Sequence, residues 1–280
     1  MSLLGLVRRF PLRVGVTIGL VLVEAVIEVL LPLFLGFAIN DLLEDRTRGL
    51  IALAGLGVAA LIIGSVRRFV DTRAYAGMFE IVSAEMVEQE RARGAETTRI
   101  AARTSLLGEL VDFLEDSMPE IISATIGTVG ILIIIGGLNA NVLLACLGVL
   151  VLLIVTYWLT AGRNFDLNRG YNDELERQVE VIDSFDRRAI GQHFGLLMRW
   201  NRRLSDLETV NYVVIWLGVI ALLVYAPLEV IEPGETDYGF AFSTIIYVFQ
   251  YIEAIIALPL FIQQVIRLQE IAARLSASDG

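Results

Sequence analysis

The sequence predicts an all-α membrane protein with six transmembrane helices and two long cytoplasmic helical hairpins. Two observations carry that prediction. First, 56% of the 280 residues are hydrophobic, mean hydropathy is +0.68, and the excess is gathered into six runs. Second, the connections between runs alternate between short and long. A hydrocarbon core takes about 20 helical residues to cross, and the runs fall at about 14–39, 50–66, 118–138, 142–160, 209–231 and 239–262. They form a single membrane domain over residues 1–280.

The first run follows Arg8, Arg9 and Arg13 in the manner of a secretory signal. It is too long for a signal's apolar core, contains two acids and lacks a small-residue cleavage site, so it reads as a retained span. The second run is short before Arg67, and anchoring at the outer face or burial of its inner end completes the crossing. The third and fourth runs are separated only by 139–141, and the fifth and sixth by the polar segment Glu232–Tyr238.

All 22 basic residues are arginines, and only Arg46 and Arg48 fall on the outer side when the N-terminus is placed inside. That bias orients the chain with both termini in the cytoplasm, because the rule counts Lys and Arg rather than net charge. The lysine-free, acidic composition suits a prokaryotic cytoplasmic membrane, and the net charge of −10 speaks against nucleic-acid binding. The single cysteine, Cys146, lies in an apolar run and reads as a small buried hydrophobe. No cofactor or metal site is expected.

The two inner connections, 67–117 and 161–208, are rich in helix formers of mixed charge. In Ser105–Met118, Leu106, Leu110, Phe113 or Leu114, and Met118 recur at helical spacing, with Glu109, Asp112, Glu115 and Asp116 on the other face. Each connection is long enough to be a helical hairpin that extends two spans. The alternative is a pair of loops packed on the membrane surface. Gly15 and Gly19 in the first span, and Gly127, Gly130, Gly136 and Gly137 in the third, mark faces where helices can approach closely.

Glu24 and Glu28 stand one helical turn apart near the middle of the first run, and Glu253 is near the middle of the sixth with Gln250 beside it. Ionisable residues at membrane depth cost roughly 2.5–3.5 kcal/mol on insertion scales and are usually functional. No arginine falls mid-span, so these carboxylates are expected to lack a cation partner and to share protons. Glu24, Glu28, Glu253, Gln250 and Tyr251 are therefore the candidate proton-coupling or substrate-binding residues. The competing accounts are acids that merely line a water-filled cavity, or acids hydrogen-bonded across helices, with Tyr247 and Tyr251 as partners. His193 reads as a solvated helix residue rather than a pH sensor, and Arg67 pairs most simply with Asp71. Trp158, Trp200 and Trp216 read as interfacial or packing residues.

Three local stretches resemble the membrane domain of exporter-type ABC transporters. They are Leu31–Leu43 at the end of the first span, Arg103-Thr104-Ser105 with Leu110–Phe113 leading into the third, and Pro259-Leu260 with Gln269–Leu275 at the exit from the sixth. The resemblance implies a homodimer with exchanged helices, a central cavity and alternating access. In that family a nucleotide-binding domain follows the sixth helix. These 280 residues contain no lysine, so they cannot supply the lysine of a phosphate-binding P-loop, and the chain is expected not to be an ATPase.

The leading expectation is a transporter of amphipathic small molecules or peptides, similar in plan to proton-driven peptide transporters built on that membrane domain. One alternative is a membrane subunit powered by a separate ATPase chain. The other is a non-transporting membrane scaffold or regulator.

Overall fold

A computed structural model describes the backbone of residues 3–231 and 237–277 and the side chains of 5–231, 237–261, 263 and 264. Among the described residues every regular element is helical. In order they are α1 (Leu3–Arg9), α2 (Pro11–Leu43), α3 (Arg48–Ala92), α4 (Thr97–Asp112), a π-helical turn (Phe113–Ser117), α5 (Met118–Leu138), α6 (Ala140–Glu176), α7 (Gln178–Asp183), α8 (Arg187–Val230) and α9 (Tyr238–Ala277). Six stretches of the described residues are long and apolar enough to cross a membrane, and each overlaps one of the six runs read from the sequence. The end of the sixth run, most of the Glu232–Tyr238 connection and the side chains of Gln269–Leu275 lie outside the described residues.

The chain divides into two compact units, residues 1–139 with 230–280, and residues 140–229. In the first unit α2 and α3 run antiparallel from the turn at 44–47, and α2 also packs on α5 and α9. Helix α3 is 45 residues long, about 68 Å at 1.5 Å per residue. It continues well past its apolar half and folds back through a turn at Arg93–Glu96 into α4. Gly94 sits in that turn with φ +73°, a conformation that side chains with a Cβ rarely adopt. Arg103 of α4 reaches back to the buried Glu90 of α3, so the arginine of the Arg-Thr-Ser stretch closes this hairpin.

Two solvent regimes divide the first unit. One apolar cluster joins the hairpin to the start of the chain, where Leu6, Val14, Tyr75, Met78, Val82, Leu107, Leu110 and Leu114 are buried together. Burial from water drives that assembly, at roughly 1.5–3 kcal/mol per large side chain. The apolar runs instead expose Leu61 and Ile133 at 69% and 70%, as lipid-facing side chains must be. Lipid offers no hydrophobic drive between helices, so close packing and hydrogen bonds hold them there.

The α2–α9 seam shows how. Pro32 has no N–H, which loosens the turn of α2 around it. Tyr247 of α9 lies across that turn, accepting from the Leu33 N–H at 3.1 Å and donating to the Val29 carbonyl at 2.7 Å. The Ser243 hydroxyl donates to the Pro32 carbonyl at 2.7 Å, and Asn40 accepts from the Gly239 N–H at 2.8 Å. Gly36 and Gly239 allow this approach, since a Cβ on Gly239 would collide with the Gly36 carbonyl oxygen. The glycines singled out from the sequence behave differently. Gly15, Gly19, Gly127 and Gly137 have nothing within 4 Å of a Cβ position, and Gly130 is packed against Val29.

In the second unit α6 and α8 extend beyond their apolar runs and are linked by the short α7. Asn141 and Tyr225 both donate to Glu229, at 2.6 and 2.9 Å. Asn211 is 4% exposed and donates to Thr160 at 3.1 Å. Trp200 packs over Gly170, where a Cβ would stand 2.9 Å from its ring. His193 corrects the sequence reading. It is 2% exposed, and its Nδ1 lies 2.7 Å from Glu174 Oε1, because α6 and α8 bring residues 174 and 193 face to face.

Gly239→Ala is expected to lower stability in detergent by about 1–3 kcal/mol, because the added methyl meets backbone that cannot move aside. Gly15→Ala, with open space around it, is expected to leave the thermal midpoint unchanged or slightly raised.

Candidate functional site

The candidate acids of the first span meet a cation after all. Arg67 of α3 forms an ion pair through its Nε with Glu24 Oε2 of α2, and its Nη1 lies 3.3 Å from Asp71 Oδ2. The expectation that the mid-run carboxylates lack a counter-charge is therefore corrected for Glu24. The reason is geometric. Arg67 stands nineteen residues beyond the start of α3 at Arg48, about 29 Å along the helix. Glu24 lies as far back along α2 from its end at Leu43, so the antiparallel pair brings the two to one level. The distance from the 44–47 turn to that level is close to the thickness of one hydrocarbon layer, about 30 Å.

Local sequence seats the pair. A Cβ on Gly64 would stand 2.8 Å from Glu24 Oε1, so the glycine one turn before Arg67 leaves room for the carboxylate. Further along the same face of α3, Gly77 leaves room for the guanidinium of Arg13, 3.0 Å from a Cβ position. The Thr17 hydroxyl donates to the Val14 carbonyl at 2.9 Å and lies 3.1 Å from the Tyr75 hydroxyl. With the threonine proton committed, Tyr75 is the donor between them. Thr17 and Tyr75 are both buried.

Asp71 is the feature the sequence reading left in the background. It is 4% exposed, and its Oδ1 has no hydrogen-bond partner. Glu115 of the π-helical turn acts on it electrostatically, as does Glu24. The π turn closes through the Met118 N–H bonding the Phe113 carbonyl, just ahead of Pro119, which has no proton to donate to Glu115. The 67–71–75 spacing, one face of a helix at successive turns, was the available signal for this set.

The remaining candidates lie apart from this ion pair. Glu28, one turn deeper than Glu24, is exposed and has no hydrogen bond or ion pair among the described residues, though it is within electrostatic reach of Glu24 and Arg67. Contacts of α9 with α2 pair residue 239 with 36 and residue 243 with 32, and continuing that register brings Glu253 near the level of Glu24. Glu253 is nevertheless exposed, Gln250 is half-buried and Tyr251 is fully buried. Tyr247 bonds α2 backbone rather than a glutamate. Beyond the membrane runs, Arg9 clasps Glu85 with two bonds of 2.7 and 2.6 Å. Those bonds hold the Glu85 carboxyl below the ordinary carboxylate range. A groove of about 620 Å³ lies along α3 and α4, bordered by Phe79, Val87, Ile100, Thr104 and Asp112, and none of the candidate residues lines it.

Six membrane-length helices, the α3–α4 hairpin and an ionisable cluster between α2 and α3 are the setting for the comparison with known families. The family model described as ABC transporter transmembrane region matches residues 3–232. The chain belongs to that family. It is a multi-pass membrane protein with the exporter-type membrane architecture that the local stretches suggested, and a membrane component of a transporter. No curated protein matches the chain.

Arg67→Gln removes the one cation that Glu24 and Asp71 share. It is expected to cost about 3 kcal/mol of stability in a denaturant titration in mixed micelles, as for a broken buried pair. Arg68→Gln, at an exposed neighbouring position, is expected to change stability by less than about 0.5 kcal/mol.

Proposed function

We propose that the chain forms a homodimeric, proton-coupled transporter that moves amphipathic small molecules or peptides by alternating access. The observation that carries this reading is the excess of carboxylates around one guanidinium at the α2–α3 seam. Glu24 and Asp71 both reach Arg67, and Glu28 stands one turn deeper without a partner. Carboxylates at membrane depth that outnumber their cations take up and release protons as their surroundings change. Glu253, at a similar level on α9, extends the series. Membership of a transporter family supplies the rest of the setting.

In this reading the chain sits in a prokaryotic cytoplasmic membrane with both termini inside, as the arginine bias favours. These 280 residues, without lysine, offer no P-loop cation, so the coupling proposed for them rests on carboxylates rather than on bound ATP.

A second reading is a membrane subunit driven by a separate ATPase chain. It is favoured by the family itself and by the turn between α7 and α8, where Phe185 is 88% exposed at φ +50°. A large aromatic side chain held out on a hairpin tip suits a protein partner.

Reconstitution in liposomes separates the two. Proton-gradient-driven flux without nucleotide, reduced at least tenfold by Glu24→Gln/Glu28→Gln, is the expected result. Flux that needs ATP and an added P-loop protein would instead establish the second reading. Flux untouched by the double substitution would remove the glutamates from the coupling.

A further inference from the structure

The α2–α3 seam carries more negative charge than its guanidinium balances. Arg67 is ion-paired with Glu24 through Nε, and its Nη1 donates to Asp71 Oδ2 at 3.3 Å. Glu115 adds a third carboxylate acting on the same place. Glu24, Asp71 and Glu115 with one arginine sum to −2 if all three are ionised.

Asp71 is the worst placed of the three to be an anion. Its side chain is 5% exposed, against 17% for Glu24, and Glu115 is half-buried. Its Oδ1 is buried with no donor pointing to it. Tyr75, one turn on, spends its hydroxyl on Thr17. The ionisable groups acting on Asp71 from the elements around it are Glu24 of α2, Arg67 of α3 and Glu115 of the π turn. Arg13 of α2 lies further along, against Gly77. Arg67 Nη1 donates a long bond to Oδ2 alone, and a carboxylate taken from water with one oxygen lacking any donor is disfavoured relative to its neutral acid. A metal ion does not fit the place. Among the described residues no three His, Cys, Asp or Glu side chains converge to hold one, and the central guanidinium would repel it.

We propose that Asp71 is a proton-binding site, and that Arg67 decides whether Asp71 or Glu24 holds the proton the two carboxylates share. With Arg67 on Glu24, as in this structure, Glu24 is the anion and Asp71 is the neutral acid, with its proton on Oδ1. When the guanidinium moves fully onto Asp71, that proton leaves to water, and Glu24, having lost its partner, takes one up from water. One proton is released and one bound, and the charge of the triad is unchanged. A short swing of one side chain thereby transfers a proton-accepting position from α3 to α2. Glu115 favours the bound proton at Asp71 by like-charge repulsion. The inference deepens the proton-coupled reading and depends on it for its role in transport, but the site itself can be tested without any flux.

The test is infrared spectroscopy of the full chain in lipid nanodiscs across a pH titration, following the carboxylic-acid carbonyl band. Labelling aspartate carboxyls with carbon-13 should shift a band present at neutral pH, and labelling glutamate should not. Asp71→Asn should abolish that band. Glu115→Gln should move its titration midpoint down by about one pH unit. Because the isotope comparison uses the unsubstituted protein, it holds even where Asp71→Asn folds poorly. No aspartic-acid band at neutral pH, or one that survives in folded Asp71→Asn, overturns the proposal. If the band behaves as expected while liposomes show no proton-driven flux, the transport reading fails and the site stands. If flux is proton-driven and the band is absent, the site fails and the transport reading stands.

Discussion

One arginine, reached from two helices, fixes the relation between α2 and α3 where the membrane runs give way to the hairpin. On the lipid-facing side of this level, apolar side chains contribute little to helix association, because lipid is as apolar as they are. On the other side, burial from water assembles the core around Tyr75, Met78, Leu110 and Leu114. Arg67 sits at the junction, bonded to α2 through Glu24 and to its own helix through Asp71. A slip of α3 by one residue would turn Arg67 by about 100° and break its contact with Glu24, so the ion pair sets register as well as charge.

The same junction explains why polar residues recur at the seams of an otherwise apolar domain. At α2–α9, Tyr247 and Ser243 bond backbone loosened by Pro32, and Gly36 and Gly239 let the chains touch. At α6–α8, Asn211 and Thr160 play a similar part. Each contact supplies direction where the membrane supplies none. The functional reading grows from the one seam where the polar groups are ionisable and do not balance.

Much of this was legible in the sequence. Six helices of membrane length follow from run length alone, and the hairpins from the charged helix formers between runs. The Arg67–Asp71 pair was visible as an i,i+4 spacing. What was not legible is register between helices. Nothing local to Glu24 announces Arg67, 43 residues later, because their meeting depends on where α2 ends and α3 begins. His193 and Glu174 were hidden for the same reason, since a lone histidine in a charged stretch looks solvated until a second helix covers it. Gly15 and Gly19 have open space around them within the single chain. Small residues permit close approach but do not require it, whereas Gly36 and Gly239, far apart in the chain, were invisible as a pair.

Glu24 and Arg67 are energetically coupled across α2 and α3 through their ion pair. A double-mutant cycle with Glu24→Gln, Arg67→Gln and the combined variant, read as unfolding free energies in mixed micelles, measures that coupling. A coupling of about 1.5–3 kcal/mol is predicted, with the double variant recovering part of the loss caused by Arg67→Gln alone. Losses that simply add would contradict the account.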